Sequence, residues 1–321
     1  MGSASAAVNS SERLKGIDVF VCVADVGSFA AAAARLNLTS SAVSKGVARL
    51  EHRLQSRLFH RTTRRLSLTD AGSAFYRTCT NVLAELEDAA LALNLESTEP
   101  RGRVRLDLPA SYGRLHVLPV ILKFVRDHAL LLPHVSFSDR FVDPVEHGID
   151  ILVRIGGTDM WPAALGHRFL GSERLIFCAA PSYLQARGVP QNEADLAAHR
   201  CVVYGRSDGL VNPWLFAGAQ SGDLERRVVP GRMAIGDGES QTIAVSLGHG
   251  VAQLPTWLVG QHLAGGTLVE VLPQLATDGL PINLVWQKSR QSLPKVSALL
   301  DALGACLTPA GHHAGRPAAI H

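Results

Sequence analysis

Between Thr39 and Leu54 the chain reads TSSAVSKGVARLEHRL, and its polar residues follow a pattern. Ser40, Ser41, Ser44, Lys45, Arg49 and Arg53 recur at helical spacing, which places hydroxyls and cations on one stripe, with Val43, Val47, Leu50 and Leu54 on the opposite one. Hydroxyls exchange hydrogen bonds with base edges or phosphate oxygens, and Lys and Arg pair with phosphates, so the stripe is suited to the DNA major groove. A second basic group follows. RLFHRTTRRLSLT sets Leu58, Leu66 and Leu68 around Arg61, Thr62, Thr63, Arg64 and Arg65 and predicts a hairpin wing that meets the DNA backbone or minor groove. The residues expected to face nucleic acid are Ser28, Ser40, Ser41, Ser44, Lys45, Arg49, Arg61 and Arg64.

Catalytic chemistry has a much thinner basis. Asp195, His199 and Cys201 are the nearest approach to a nucleophile and its base, but local spacing does not supply triad geometry, and a Cys opening an apolar strand is most often a small hydrophobe. There is no Walker-type glycine loop, no H-E-x-x-H and no dinucleotide fingerprint after a strand, and Gly156 and Gly157 lack that context. The five cysteines, Cys22, Cys79, Cys178, Cys201 and Cys306, lie far apart with no C-x-x-C pair, so neither a disulfide framework nor a zinc site is indicated. His312 and His313 read as part of a loose tail. No enzyme activity, cofactor or metal is expected, and a reducing cytoplasm fits the thiols.

The elements that must position the basic stripe are short helices. Leu14, Ile17, Phe20, Val21 and Ala24 form one apolar face, and Gly27 stops that helix. Ser28 can cap a second helix carrying Phe29, Ala32, Ala33 and Leu36, whose alanines allow a neighbour to approach closely. Asn37 to Thr39 make a tight turn, and Thr39 can cap the third helix. Two helices joined in this way, the second one basic, form a helix-turn-helix. Charge supports the reading: residues 1–66 hold ten Lys/Arg against four Asp/Glu, whereas the remainder is mildly acidic. A merely solvated basic face is the alternative.

Thr69 and Asp70 begin a long helix running to about Leu95. Along it Phe75, Cys79, Val82, Leu86, Ala89 and Leu93 alternate four- and three-residue steps, the seam of a two-stranded coil, with Phe75, Val82, Leu86 and Leu93 as the pairing residues. The other reading is a helix packed on its own domain. Glu99 to Gly102 form a hinge. From Val104 onward strand-like and helical runs alternate, which predicts parallel strands with helices on their faces. The totals agree: 321 residues with 47% hydrophobic content allow two or three cores, and nothing reads as a signal peptide or a membrane span.

The ordered motifs GSFAAAAARL, SSAVSK, LEHRL, RLFHR and LTDAG closely resemble the N-terminal pattern of the LysR-type transcriptional regulators. Three positions depart from it. Ser40 stands where the family usually has a base-reading glutamine, Gly46 replaces a helix former at roughly 1 kcal/mol cost, and Gln55 replaces the glycine that ends the recognition helix. Farther on, AAPSYLQARGVP, DLAAHRCVVY, GHGVAQLP and GGTLVEVL resemble that family's effector domain.

The resemblance implies an α/β chain with an N-terminal all-α winged helix-turn-helix, a long linker helix and a two-lobed, periplasmic-binding-protein-like effector domain. Its implied bounds are 12–68 for DNA binding, 69–98 for the linker and 103–308 for the effector domain, followed by a disordered tail at 309–321. Within the effector domain, lobe I is 103–170 with 276–308 and lobe II is 171–275. The linker would pair two chains into a dimer or a dimer of dimers, and double-stranded DNA, a small-molecule effector and RNA polymerase are the implied partners, with no membrane. A DNA-binding repressor whose body only oligomerises is the alternative.

In such a fold small molecules sit between lobes where strands end and helices begin. Ser111, Tyr112 and Gly113 precede one helix and Asp237, Gly238, Glu239 and Ser240 another, so free N–H groups there are expected to favour an anion, unless Asp237 and Glu239 themselves cap the helix. Arg154 to Gly156 and Tyr204 to Arg206 are further expected edges of the site.

Overall fold

The computed structural model describes residues 16–61, 66–92, 99–157, 160–206, 208–217 and 224–307, with the backbone alone at 61, 87–92 and 173. Leu14, Arg64, Leu93, the side chains of Arg61 and Ala89, and the tail therefore lie outside the described residues. The chain divides into two compact units, Met1–Thr98 with Val142–Gly148 and Glu99–Phe141 with Ile149–His321.

In the first unit, α1 (Ile17–Val26), α2 (Phe29–Leu36) and α3 (Ser40–Leu54) precede a two-stranded antiparallel wing, β1 (Phe59–Arg61) and β2 (Leu66–Leu68), and the long α4 (Asp70–Ala92). Local chemistry sets each boundary. Gly27 leaves α1 at φ 65°, and the Ser28 and Thr39 hydroxyls accept the Ala31 and Ala42 N–H groups to start α2 and α3. Gln55 closes α3 in the left-handed conformation, φ 49°, with its side-chain amide donating to the His52 carbonyl. Glu51 accepts the Leu58 and Phe59 N–H groups at 2.8 and 3.2 Å and so fixes where the wing begins. Val43, Val47 and Leu50 enter a core around Phe20, whose ring meets Phe59, Phe75 and Tyr76. Leu54 does not follow them. As the last residue of α3 it is 38% exposed.

The expected coil seam also needs correction at its start. Phe75 packs its ring at a tilt against Phe20 and Cys79 is buried in this same core, so both hold α4 to its own head and are engaged there. Val82 is half-buried and Leu86 is 52% exposed, so these two positions remain accessible.

The second unit contains, in order, β3 (Gly102–Leu108), α5 (Ala110–Tyr112), a π turn (Gly113–Val117), α6 (Leu118–Asp127), β4 (Leu131–Phe137), β5 (Ile151–Ile155), β6 (Leu165–Ala179) and α7 (Pro181–Arg187). After a 3-10 turn (Glu193–Ala198) come β7 (Val202–Tyr204), β8 (Trp214–Ala217), β9 (Leu224–Arg227), β10 (Met233–Ile235), α8 (Gly238–Ser246) and β11 (Val251–Pro255). The unit ends with α9 (Thr256–Ala264), β12 (Val269–Val271), β13 (Thr277–Gln287) and α10 (Pro294–Leu307).

The strands are not uniformly parallel. β3 pairs in parallel with β4 and β5, and β7 with β10, but β13 runs antiparallel to β5 and β6, and β6 antiparallel to β11 and β12. The reason is topological: β6 and β13 carry the chain between two separate cores in opposite directions. One core gathers Leu106, Ile121, Ile151, Leu284 and Leu299, and the other gathers Phe177, Val203, Val245, Val251 and Leu254 on the two faces of the far sheet. Where they cross, the β6–β13 register breaks between Asp278 and Pro281 and again between Ile282 and Asn283. Among the described residues no helix is long and apolar enough to cross a membrane, and no His, Cys, Asp and Glu cluster could hold a metal ion.

Two glycines in the first unit should respond oppositely to alanine. A Cβ on Gly46 would meet only Val19 at 3.6 Å, an ordinary contact, so Gly46→Ala should stabilise α3 by about 1 kcal/mol. A Cβ on Gly72 would lie 2.0 Å from the Leu58 carbonyl oxygen, so Gly72→Ala should destabilise the head by roughly 1–3 kcal/mol. Scanning calorimetry of the full chain, following the head transition, checks both signs.

Candidate functional site

On α3 the packing of Val43, Val47 and Leu50 turns the other face outward. Ser40, Ser41, Lys45 and Arg49 are exposed and Ser44 is half-buried. Thr39, Ser41, Ala42, Lys45, Ala48, Arg49 and His52 together line a shallow open hollow along the helix. Ser40 and Ser44 flank it without lining it. Neither Lys45 nor Arg49 is ion-paired among the described residues, so both positive charges are presented to solvent. The α3 N-terminus adds its dipole beside Ser40 and Ser41. Ser28 is half-buried, and its oxygen caps α2 at 3.4 Å from the Ala31 nitrogen, leaving its proton and one lone pair to offer elsewhere. From the sequence Thr39 was expected only as the cap of this helix, and His52 was not singled out. Extending the stripe by one step in each direction from Ala42 and Arg49 reaches both.

In the second unit a cavity of about 520 Å³ lies between the two cores. Ser111, Tyr112, Arg154, Tyr204 and Gly238 line it; Gly113, Asp237, Glu239 and Ser240 do not. The helix that begins beside it starts at Ala110, earlier than expected, so Ser111 and Tyr112 lie within its first turn. Gly113 is inside the π turn, where its N–H donates to the Pro109 carbonyl at 2.7 Å and an added Cβ would stand 2.6 Å from that of Leu108. Its glycine serves packing.

The amides expected to await an anion are already met by the chain's own carboxylates. Asp139 accepts the Ala110 N–H at 2.9 Å and the Tyr204 hydroxyl at 2.8 Å. Asp237 accepts the Ser240 N–H at 2.7 Å and, with Glu239, pairs with Arg114 at 3.3 and 3.2 Å. Burial pushes the Asp237 carboxyl up, but the Ser240 amide and hydroxyl together with Arg114 outweigh it and hold the group below the usual carboxylate range.

Arg154 is 5% exposed, with its guanidinium 2.9 Å from Asp107 and donating to the Val153 carbonyl, so its charge is balanced within the protein. Gln253 is likewise engaged, bonded through both ends of its amide to the Leu215 backbone. What remains is specific. The hydroxyls of Ser111 and Tyr112, on residues only 7% and 6% exposed, have no hydrogen-bond partner among the described residues, and burial pushes the Tyr112 phenol up to about 12. At the exposed rim, Arg226 on β9 is the lining cation that has no ion pair among the described residues. Trp257 closes one wall, its ring 5.2 Å from that of Tyr112. Trp257 follows the strand end at Pro255, the same kind of junction that drew attention to Ser111; nothing in the local sequence marks Asp139 or Arg226.

Asp195, His199 and Cys201 do not converge. Asp195 accepts the Gln191 and Asn192 N–H groups in a capping box, His199 Nδ1 lies 3.2 Å from the Tyr183 hydroxyl, and the Cys201 thiol points at the Leu196 and His199 carbonyls. Burial raises the thiols of Cys201 and Cys79 to about 11 and that of Cys178 to about 12, the opposite of nucleophile activation.

Comparison with known proteins agrees with this division. Residues 14–73 match the model of the lysR-family bacterial regulatory helix-turn-helix protein, and residues 97–307 match the LysR substrate binding domain. The transcriptional regulator CrgA of Neisseria meningitidis is 31% identical over 89% of this chain and 94% of its own length. The Escherichia coli transcriptional activator AaeR is 29% identical over 91% and 93%. A solved structure of CrgA covers 92% of this chain and 98% of its own, with 28% identity and a TM-score of 0.58. The full-length structure of the Vibrio cholerae virulence activator AphB, 23% identical over 92% and 99%, shares the fold with a TM-score of 0.60. Family models spanning the head and the body, in the same order along the chain, establish that this chain belongs to the LysR family of bacterial helix-turn-helix transcriptional regulators.

Proposed function

We propose that the chain reads operator DNA through the outer face of α3, as a dimer or a dimer of dimers, and that a small organic acid between the lobes modulates this activity. The observation that carries the reading is the unpaired Lys45 and Arg49, aligned with Ser41 opposite the buried Val43, Val47 and Leu50 stripe. In this reading Ser40 and Ser44 add contacts at the flanks, and Arg61 and Arg64 of the wing reach the backbone. Residues 12–68 act as the DNA-binding domain, 69–98 as the linker and 103–308 as the effector domain. The regulator works in the cytoplasm, with RNA polymerase as the machinery it influences.

For pairing, Val82 and Leu86 on α4 are the accessible apolar positions of the seam. Exposed Leu122, Leu132, Ile243 and Leu247 supply further apolar surface for self-association. That surface also favours the second reading, in which the body serves oligomerisation alone. The ligand reading is supported by the unengaged hydroxyls of Ser111 and Tyr112, the rim cation Arg226 and the aromatic wall at Trp257. A carboxylate placed at Arg226 avoids the cost of burying a charge beside neutral hydroxyls.

Lys45→Ala and Arg49→Ala should each weaken binding to duplex DNA and flatten the log-affinity against log-salt plot by roughly one counterion per lost phosphate contact. Gel-shift titration at several salt concentrations checks this, and unchanged affinity and slope in both variants would reject the docking. Leu86→Lys sets like charges opposite each other across an α4 pair. Sedimentation velocity should then show the full chain shifted toward monomer; an unaltered dimer places the interface elsewhere.

A further inference from the structure

We propose that Asp139 is a built-in clasp that holds the interlobe cleft closed when no ligand is bound, and that a ligand carboxylate opens or replaces this clasp by competing for the same donors. The inference rests on the reading of the cleft as a ligand site. Asp139 stands just beyond β4, on the side of the first core, and bridges two elements that belong to different lobes. One oxygen accepts the Ala110 N–H at 2.9 Å, within its own lobe; the other accepts the hydroxyl of Tyr204 at 2.8 Å, at the end of β7 in the far lobe. Both Asp139 and Tyr204 line the cavity, so the bond between them lies where a ligand would sit. Burial first, and the nearby Asp139 charge second, push the Tyr204 phenol well above its usual range, so it remains a donor at every physiological pH.

The rest of the rim is built differently. Arg114, on the π turn, pairs with Asp237 and Glu239 at the start of α8, and His116 Nε2 lies 3.3 Å from the Trp257 carbonyl. These groups also join the two lobes, yet Arg114, His116, Asp237 and Glu239 are not in the cavity lining. A ligand can therefore displace Asp139 from Tyr204 without disturbing them. Covalent continuity between the lobes is confined to β6 and β13, whose register is broken at the crossing, so contacts across the rim decide how far the cleft stands open. The carboxylate that meets the Ala110 amide is thus an internal stand-in for the anion that this end of the helix would otherwise attract. Ligand binding becomes an exchange of one carboxylate for another.

Tyr204→Phe removes the bond across the cleft and leaves Asp139 on the Ala110 amide; Asp139→Ala removes both. Hydrogen exchange by mass spectrometry on the full-length protein without ligand reads the opening. In Tyr204→Phe, peptides covering 109–113 and 251–258 should exchange roughly two- to tenfold faster, the loss expected for one exposed hydrogen bond, with peptides of α3 unchanged. Asp139→Ala should accelerate the same peptides at least as much. Unchanged exchange in both variants overturns the clasp. Phenylacetate at millimolar concentration forms a separate arm. Protection of these peptides in wild type, with tighter binding by Asp139→Ala, supports the exchange of carboxylates. Protection that is equal in the two proteins overturns the competition. No protection in either protein counts against the ligand reading, while the ligand-free comparison still decides the clasp.

Discussion

The antiparallel pairing of β6 with β13 is the constraint from which the body of the protein follows. Each strand begins in one core and ends in the other, so these two strands are the covalent path between the lobes, and the ladder that pairs them is broken where they cross. That arrangement leaves a cavity beside the crossing, edged by Leu175, Leu280 and Pro281, next to the irregular stretch of the ladder. It also explains why the cleft must be closed by side chains. Arg114, His116, Tyr204 and Asp139 meet their partners from opposite lobes because the backbone alone does not hold the rims together.

Charge is used in opposite ways in the two units. The body engages its buried charged groups: Arg154 pairs with Asp107 and Arg290 with Asp150, and the Lys295 ammonium donates to the Arg103 carbonyl. Leaving any of these groups unpaired in a low-dielectric core would be strongly destabilising. The head presents Lys45 and Arg49 unpaired along an exposed helix, where water screens them until a polyanion arrives. Among the described residues, Lys45 and Arg49 of the head thus have no ion pair, whereas the buried arginines of the body, Arg154 and Arg290, each meet a carboxylate.

Much of the head was legible in the sequence because its determinants are local. Gly27, Ser28, Thr39 and the Val43, Val47 and Leu50 spacing each act within one or two helical turns, and the three helices lie where those residues place them. Leu54 and Phe75 were misplaced for one shared reason. An apolar stripe declares that it will be buried but not against what, and Phe20 claims Phe75 before any partner chain can. Strand direction in the body was not legible either, since alternation of strands and helices does not record that β6 and β13 cross between lobes. At the cleft, Ser111, Tyr112, Arg154, Tyr204 and Gly238 were reached from strand-end positions. Asp139 and Arg226 were missed because their importance comes from contacts across the fold: Asp139 lies 29 residues from the amide it caps and 65 from the hydroxyl it receives.

We propose that the outer face of α3 is the surface that enters DNA. Directed cleavage tests it most directly: an iron chelate is attached at position 41 through Ser41→Cys, in a chain whose exposed Cys306 is replaced by Ser, and bound to an operator fragment. If that face enters the groove, hydroxyl-radical cuts are confined to short clusters, one for each head, repeating at about one helical turn or a multiple of it. Cleavage scattered evenly along the fragment, or none from a protein that still binds it, would contradict the account.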